Sequence, residues 1–416
     1  MRILLLTFGS RGDVQPYVAL GRILQERGHE VTLSTGRGFE AMAEAHGLAS
    51  APLSVDVREL IADPVMQEAL HSFRGKLRAW RASKQIMRTG LDEMWRIAQD
   101  VRPDLIVYHI KATPACDIAE ALGAAAMPAF QIPAFVPTGD FASPILPFPK
   151  LGRFSNRMSH RALLALMGFA TGLPLKRWRR ESLGLSGPRT SAPFAGYHPR
   201  GRALPRLHGY SRNLVPGTAG WPAREYVTGC WYLDEATGWQ APDALSRFLE
   251  AGPSPVYVGF GSMPAKDSAG LTETVCRALA LSGQRGLLAT GWGGLSKPAD
   301  SEHIHVLEAA PHDWLLPRCA LAVHHGGAGT THQVLRWGLP SVVCPVAVDQ
   351  PFWGRRVAAV GAGPPPLPQK DLTAEALARA LEAALKMATR AAEIGAAMAE
   401  EPGAMGAADL VETLAA

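Results

Sequence analysis

Three short clusters in this chain combine residue types able to do chemistry on hydroxyls and phosphates. The first is Ser10-Arg11-Gly12-Asp13, directly after an apolar run at the N-terminus. A carboxylate in a glycine loop ahead of a helix can take the proton of a hydroxyl, which is a poor nucleophile until that proton leaves. The helix end would keep Asp13 ionised, whereas burial would raise its pKa. Asp13 could equally cap the helix starting near Val14, and the two roles are compatible. His29 and His109 are rival bases. His29 falls past the far end of that helix; His109 ends an apolar segment and could orient Asp13 or touch a substrate.

The second cluster is His325-Gly326-Gly327-Ala328-Gly329-Thr330-Thr331. Its glycines let a ligand approach the backbone, Thr330 or Thr331 could cap the following helix, and the free amides there favour an anion. A plain glycine-rich turn would look similar. It is not a Walker loop, because the Gly-Lys-Ser/Thr ending is missing, and GxGxxG does not occur. The third cluster, Asp349-Gln350, places an acid beside an amide, a pair suited to sugar hydroxyls. On its own it would read as a capped turn; its place one βα unit after a phosphate loop gives it weight.

The elements that position these clusters follow from periodicity. Residues 2–8 read as a buried parallel strand, residues 14–27 as a helix stopped by Gly28, and residues 31–34 as the next strand. A strand over 105–108, a helix over 115–122 and a strand over 129–132 continue the βαβ pattern. Residues 133–222, rich in Pro, Gly and Arg, read as loops and short helices. A second alternation starts at 255–260 and runs through strands at 286–289, 321–324 and 341–346. The expected fold is therefore α/β, with two doubly wound Rossmann-like domains and a site in the cleft between them. The expected division is residues 1–220, a linker over 221–242, a second domain over 243–400, and a final helix over 401–416 packing back on the first domain.

Composition narrows the function classes. Hydrophobic residues make up 47% of the 416 and charged residues 19%, which supports full cores and excludes disorder. The net charge of +5 is mild, and the basic run at 176–180 reads as a solvated helix face or a weak contact with an anionic membrane surface. No nucleic-acid recognition motif accompanies it. The five cysteines lack CxxC spacing and read as core thiols of a reducing compartment. The opening apolar run is too short for a signal peptide, so a cytoplasmic protein is expected.

Pro311-His312-Asp313-Trp314-Leu315, His324 to Thr331 and Asp349-Gln350-Pro351-Phe352-Trp353-Gly354, in that order and spacing, resemble the donor signature of family 1 GT-B glycosyltransferases. The N-terminal Gly9-Ser10-Arg11-Gly12-Asp13-Val14-Gln15-Pro16 is similar to the sterol glucosyltransferase-like branch, as are 132–138 more loosely and Gly259 to Met263. The resemblance fails mainly over 50–100. It implies a nucleotide-sugar donor, with UDP-glucose favoured and a dTDP-deoxysugar as the alternative. It further implies an apolar acceptor bearing a hydroxyl, such as a sterol, polyketide or flavonoid.

On this resemblance Asp13 is the catalytic base. Ser10, Arg11, Gly12 and Ser262 lie at the phosphates, and His325, Gly327, Ala328, Gly329 and Thr330 cradle the diphosphate. Pro311 and His312 lie at the base, and Asp349 and Gln350 hold the hexose. A tryptophan that stacks on the base in plant members is replaced here by Ala309, and Trp314 reads as packing. His109, Phe135 and Phe141, with Phe148, are candidate acceptor contacts. Inversion by direct displacement is implied, and without a DxD motif neither metal nor cofactor is expected. A GT-B epimerase and a noncatalytic nucleotide-sugar-binding helper are the competing classes; the Asp349-Gln350 block disfavours the first, and retention of both Asp13 and the donor glycines disfavours the second. Monomer and homodimer are both compatible with the sequence.

Overall fold

The computed structural model describes residues 1–56, 59, 73–146, 152–187, 194–261, 267–291, 294–297 and 301–415. The N-terminal domain holds strands β1 (Arg2–Leu6), β2 (Glu30–Ser34), β3 (Gly36–Arg37), β4 (Ala49–Ser50), β5 (Leu53–Asp56), β6 (Leu105–His109), β7 (Ala125–Phe130), β8 (Arg206–His208) and β9 (Glu225–Val227). Seven of these form one parallel sheet in the order β4-β2-β1-β6-β7-β8-β9, and β3 pairs with β5. The C-terminal domain carries a second parallel sheet of β10 (Val256–Gly259), β11 (Gly286–Ala289), β12 (Ile304–Leu307), β13 (Leu321–His324) and β14 (Ser341–Val343), ordered β12-β11-β10-β13-β14.

Helices α1 (Arg11–Glu26), α2 (Glu40–Ala45), α3 (Phe73–Val101), α4 (Ala115–Leu122) and α5 (Arg153–Ser182) belong to the first domain. The second has α6 (Asp243–Glu250), α7 (Ser268–Leu281), α8 (His312–Leu315), α9 (Ala328–Arg336), α10 (Gln350–Ala359), α11 (Ala374–Leu385), α12 (Ala388–Ala399) and α13 (Gly403–Ala415). Helices on both faces explain why β1 and β6 are apolar throughout: Ile3 to Leu6 and Leu105 to Tyr108 are almost fully buried.

Chain order turns round at the middle of each sheet. β1 lies between β2 and β6, and β10 lies between β11 and β13. The segments leaving β1 and β6 therefore diverge and open a crevice, as do those leaving β10 and β13. The two sheets thus offer one ligand crevice each.

Three elements depart from the sequence reading. The strand expected over 129–132 is β7, four residues earlier; its alanine-rich start lacks the β-branched residues that mark a strand. The span read as loops and short helices contains the 30-residue α5, which has Pro174 inside it and apolar residues facing solvent as well as the core. No single apolar stripe betrays such a helix. The expected linker includes β9, which completes the first sheet.

The end of the chain returns to the beginning. Ala404, Ala407, Ala408 and Val411 of α13 share a core with Val14, Tyr17 and Val18 of α1. Arg27 reaches Asp409 at 2.7 Å and Glu412 at 2.8 Å, and His29 Nε2 lies 2.8 Å from Glu412. Between the domains the Ser211 amide donates to His332 Nε2 at 3.0 Å. All five cysteines are free thiols. Among the described residues no helix is long and apolar enough to cross a membrane.

Candidate active site between two helix N-termini

α1 begins at Arg11, earlier than its apolar pattern, so Arg11, Gly12 and Asp13 form its first turn with Ser10 as the N-cap. Asp13 Oδ2 accepts the Ser10 amide at 2.7 Å and the Ser10 hydroxyl at 3.1 Å. The helix-capping role is therefore real. It does not exhaust the carboxylate, because the Lys111 ammonium, just past β6, donates to the same oxygen at 2.9 Å. His109 Nε2 stands 3.5 Å from Oδ1.

Gly9 makes this packing possible: its φ of +147° is rare for an L side chain, and a Cβ there would lie 2.1 Å from Asp13 Oδ2 and 2.5 Å from Lys111 Nζ. Burial pushes the Asp13 carboxyl up, but Lys111, His109 and the Ser10 amide together outweigh it and hold the group below its ordinary value of 3.8. His109 is itself driven to about 4 by burial, so at neutral pH it is uncharged and Lys111 supplies the positive charge. The Lys111 amide donates to His109 Nδ1 at 3.4 Å, which leaves the ring proton on Nε2, aimed at Asp13.

The opposite wall is built on α9. Its N-cap is Gly327, without a side-chain cap, so neither Thr330 nor Thr331 fills the role expected of it. Among the described residues the amides of Ala328, Gly329 and Thr330 in the first turn form no hydrogen bond, an arrangement that can take up an anion. The His325 ring lies tight under the loop; a Cβ on Gly327 would come within 2.4 Å of its Nε2, and one on Gly261 within 2.7 Å of its Cε1. Burial holds His325 at about 4 against the opposing effect of the Gly259 backbone, and among the described residues its Nδ1 is buried without a partner. It therefore offers a neutral hydrogen-bond donor rather than a fixed positive charge.

Beside this loop, Asp349 is the N-cap of α10 and Gln350 its first residue. Asp349 Oδ2 accepts from Trp353 Nε1 at 2.8 Å, and Trp353 packs edge-on against His332 of α9 with centroids 4.9 Å apart. Burial raises the Asp349 carboxyl to about 6; Trp353 opposes this, while Asp13 raises it further and Lys111 lowers it across the cleft. Gln350 spends its carbonyl oxygen on the amides of Val346 and Ala347, at 2.8 and 3.2 Å. Val348, just before Asp349, has φ +58°, a strained value for a β-branched residue.

His312 opens α8 after Pro311, contacts the Tyr257 hydroxyl through Nε2 at 3.2 Å and is held at about 4 by burial. Arg11 acts electrostatically on His312 but is ion-paired to Glu235, whose amide donates to Asp313 at 3.0 Å. Trp314 packs against Trp239, with Arg318 over its ring. Phe135 is a correction: it is 1% exposed and stacks on Phe130 at 5.2 Å, so it belongs to a core and faces no ligand. Phe141 bridges the domains, 5.1 Å from Phe352 and 5.5 Å from His160. Ser262 and Phe148 lie outside the described residues.

Residues 3–136 match the glycosyltransferase family 28 N-terminal domain, and residues 300–414 match the erythromycin biosynthesis protein CIII-like C-terminal domain. The sterol 3-beta-glucosyltransferases UGT80A2 and UGT80B1 of Arabidopsis thaliana are 33% and 31% identical over 416 and 421 residues, 98% of this chain in each case. The chain belongs to the sterol glucosyltransferase-like branch of the GT-B glycosyltransferases. It spans 64% and 67% of the lengths of these two relatives. A solved structure of the kitacinnamycin glycotransferase superposes with a TM-score of 0.73 at 19% identity, covering 100% of this chain and 99% of that one, which establishes the shared fold.

Within this site, sequence reasoning misses Lys111, Val348 and the ion pair formed by Arg11. Lys111 carried a signal: it lies two residues past His109, the end of the strand beside the one that delivers Asp13. Val348 and the Arg11 pair had none, because one is a backbone conformation and the other joins residues 224 apart.

Proposed function

We propose that this protein transfers a hexose, with inversion, from a nucleotide-sugar to the hydroxyl of a hydrophobic acceptor. Asp13 takes the acceptor proton as the oxygen attacks the anomeric carbon. The bond from that carbon to the diphosphate oxygen breaks on the opposite side. The diphosphate leaves with the electron pair into the amides of Ala328 to Thr330, with His325 donating to it. Asp349 and Gln350 take the hexose hydroxyls. The chemistry needs no metal on this reading, since a helix end and the His325 imidazole can take up the leaving charge.

The observation that carries the proposal is the ionised Asp13, held by Lys111 and coupled electrostatically across the cleft to Asp349, next to an uncapped helix start. UDP-glucose is the favoured donor on the resemblance of the donor signature, and glucose transfer to a sterol is in keeping with the names of the plant relatives. The test is to supply UDP-glucose and dTDP-sugars separately with sterols, flavonoids and macrolides and to measure nucleoside diphosphate release. Release from UDP-glucose that depends on a sterol supports the reading. Release only from dTDP-sugars overturns the donor assignment, and binding without any release overturns catalysis.

A further inference from the structure

We propose that the outer face of α5 docks this protein on an anionic lipid surface. The helix is tied down on its inner side. Trp178 Nε1 donates to Asp92 at 2.7 Å, Arg179 pairs with Asp117 at 2.8 Å and Glu120 at 2.7 Å, and His160 Nδ1 lies 2.8 Å from the Ala134 carbonyl. Its outer side carries the opposite of what water favours: Phe154 and Phe169 are each 78% exposed, Leu173 73% and Leu166 61%, with Met158 beside them. Positions 154, 158, 166, 169 and 173 fall on one side of a helix, so the exposed groups form a stripe rather than scattered singletons.

Charge decides what covers the stripe. α5 contains seven Lys and Arg and a single acid, Glu181. Arg157, Arg161, Lys176 and Arg180 are exposed and form no ion pair among the described residues, and they flank the stripe along its length. A second copy of the chain would bring like charges together. An anionic bilayer surface instead accepts the apolar groups into its headgroup boundary and the cations onto its phosphates. The inner end of the same helix reaches Phe141, which touches Phe352 three residues after Asp349. Docking would thus hold the cleft against the phase where a sterol-like acceptor dissolves; this last step rests on the proposed transferase activity, whereas the docking itself does not.

The experiment is cosedimentation of the full chain with phosphatidylcholine vesicles, with and without phosphatidylglycerol, using no donor or acceptor. The wild-type chain is expected to bind the phosphatidylglycerol vesicles and to release as salt rises. Phe169→Glu with Leu173→Glu should weaken binding roughly tenfold or more, as should Lys176→Glu with Arg180→Glu. Both pairs face solvent, so melting temperatures should match wild type, and nucleoside diphosphate release with a detergent-dispersed sterol should not change. Failure of the wild-type chain to bind overturns the proposal, as does equal binding by the variants. A wild-type dimer that Phe169→Glu with Leu173→Glu splits would assign the stripe to self-association. Loss of turnover on dispersed sterol with vesicle binding retained would assign it to the acceptor wall. Because the vesicle arm contains no substrates, failure of the transferase reading leaves its result intact.

Discussion

Asp349→Asn should stabilise the protein while damaging its activity. Burial lifts the Asp349 carboxyl from 3.8 to about 6, which amounts to about 3 kcal/mol of unfavourable ionisation in the folded state above that pH. Asparagine has nearly the same shape and can still accept from the Trp353 indole, now at 2.8 Å, but carries no charge to desolvate. The sign follows from linkage. The folded pKa is raised, so the wild-type penalty is absent below about 4, where the carboxyl is protonated folded or unfolded, and is fully present above about 6. Urea unfolding followed by circular dichroism should therefore show the variant more stable by up to about 3 kcal/mol at pH 8, with the difference vanishing near pH 4. If Asp349 holds the hexose as a charged acceptor, kcat/KM should fall roughly ten- to a hundredfold. A variant no more stable than wild type at pH 8, or equally more stable at both pH values, would refute the reasoning.

The remaining predictions concern the other wall and one structural pair. Lys111→Met removes the charge that offsets burial of Asp13, so the Asp13 carboxyl should rise and the acid limb of the kcat/KM profile should move to higher pH; Lys111→Arg should restore it. Gly9→Ala should destabilise by about 1–3 kcal/mol through its φ of +147° and displace Asp13, with turnover down about a hundredfold, measured by thermal melts and initial rates. Arg179→Ala strands Asp117 and Glu120 with partly or wholly buried charge and should lower stability by about 3–5 kcal/mol, with the KM for donor unchanged.

The parts of this molecule legible in its sequence are those where one local rule decides. β1, β6, β10 and β13 are buried on both faces and so read as apolar runs, and the three polar clusters follow such runs directly. Where rules compete, the reading slipped. Ser10 starts α1 before its apolar face begins, so Asp13 came out as a cap ahead of the helix rather than a residue of its first turn. α5 carries apolar residues on its exposed outer side as well as on its buried inner side, so its period is hidden. β9 is three residues long and is a strand only because β8 lies beside it. Phe135 lies in a segment that reads as loop, where nothing local reveals that Phe130 and Phe194 pack against it. Only tertiary structure brings Glu235 to Arg11. Site residues supplied by one segment are legible; pairs formed between distant segments need the fold.

The central claim is that Asp13 removes the acceptor proton. Asp13→Asn keeps the shape and can still accept the Ser10 amide that now reaches the carboxylate at 2.7 Å. Its turnover should be compared with wild type under saturating UDP-glucose and sterol, alongside the donor Kd from direct titration. The account predicts that kcat falls about a hundredfold or more while the donor Kd stays within about twofold. Unchanged turnover in Asp13→Asn, or a loss explained entirely by weaker donor binding, would contradict it.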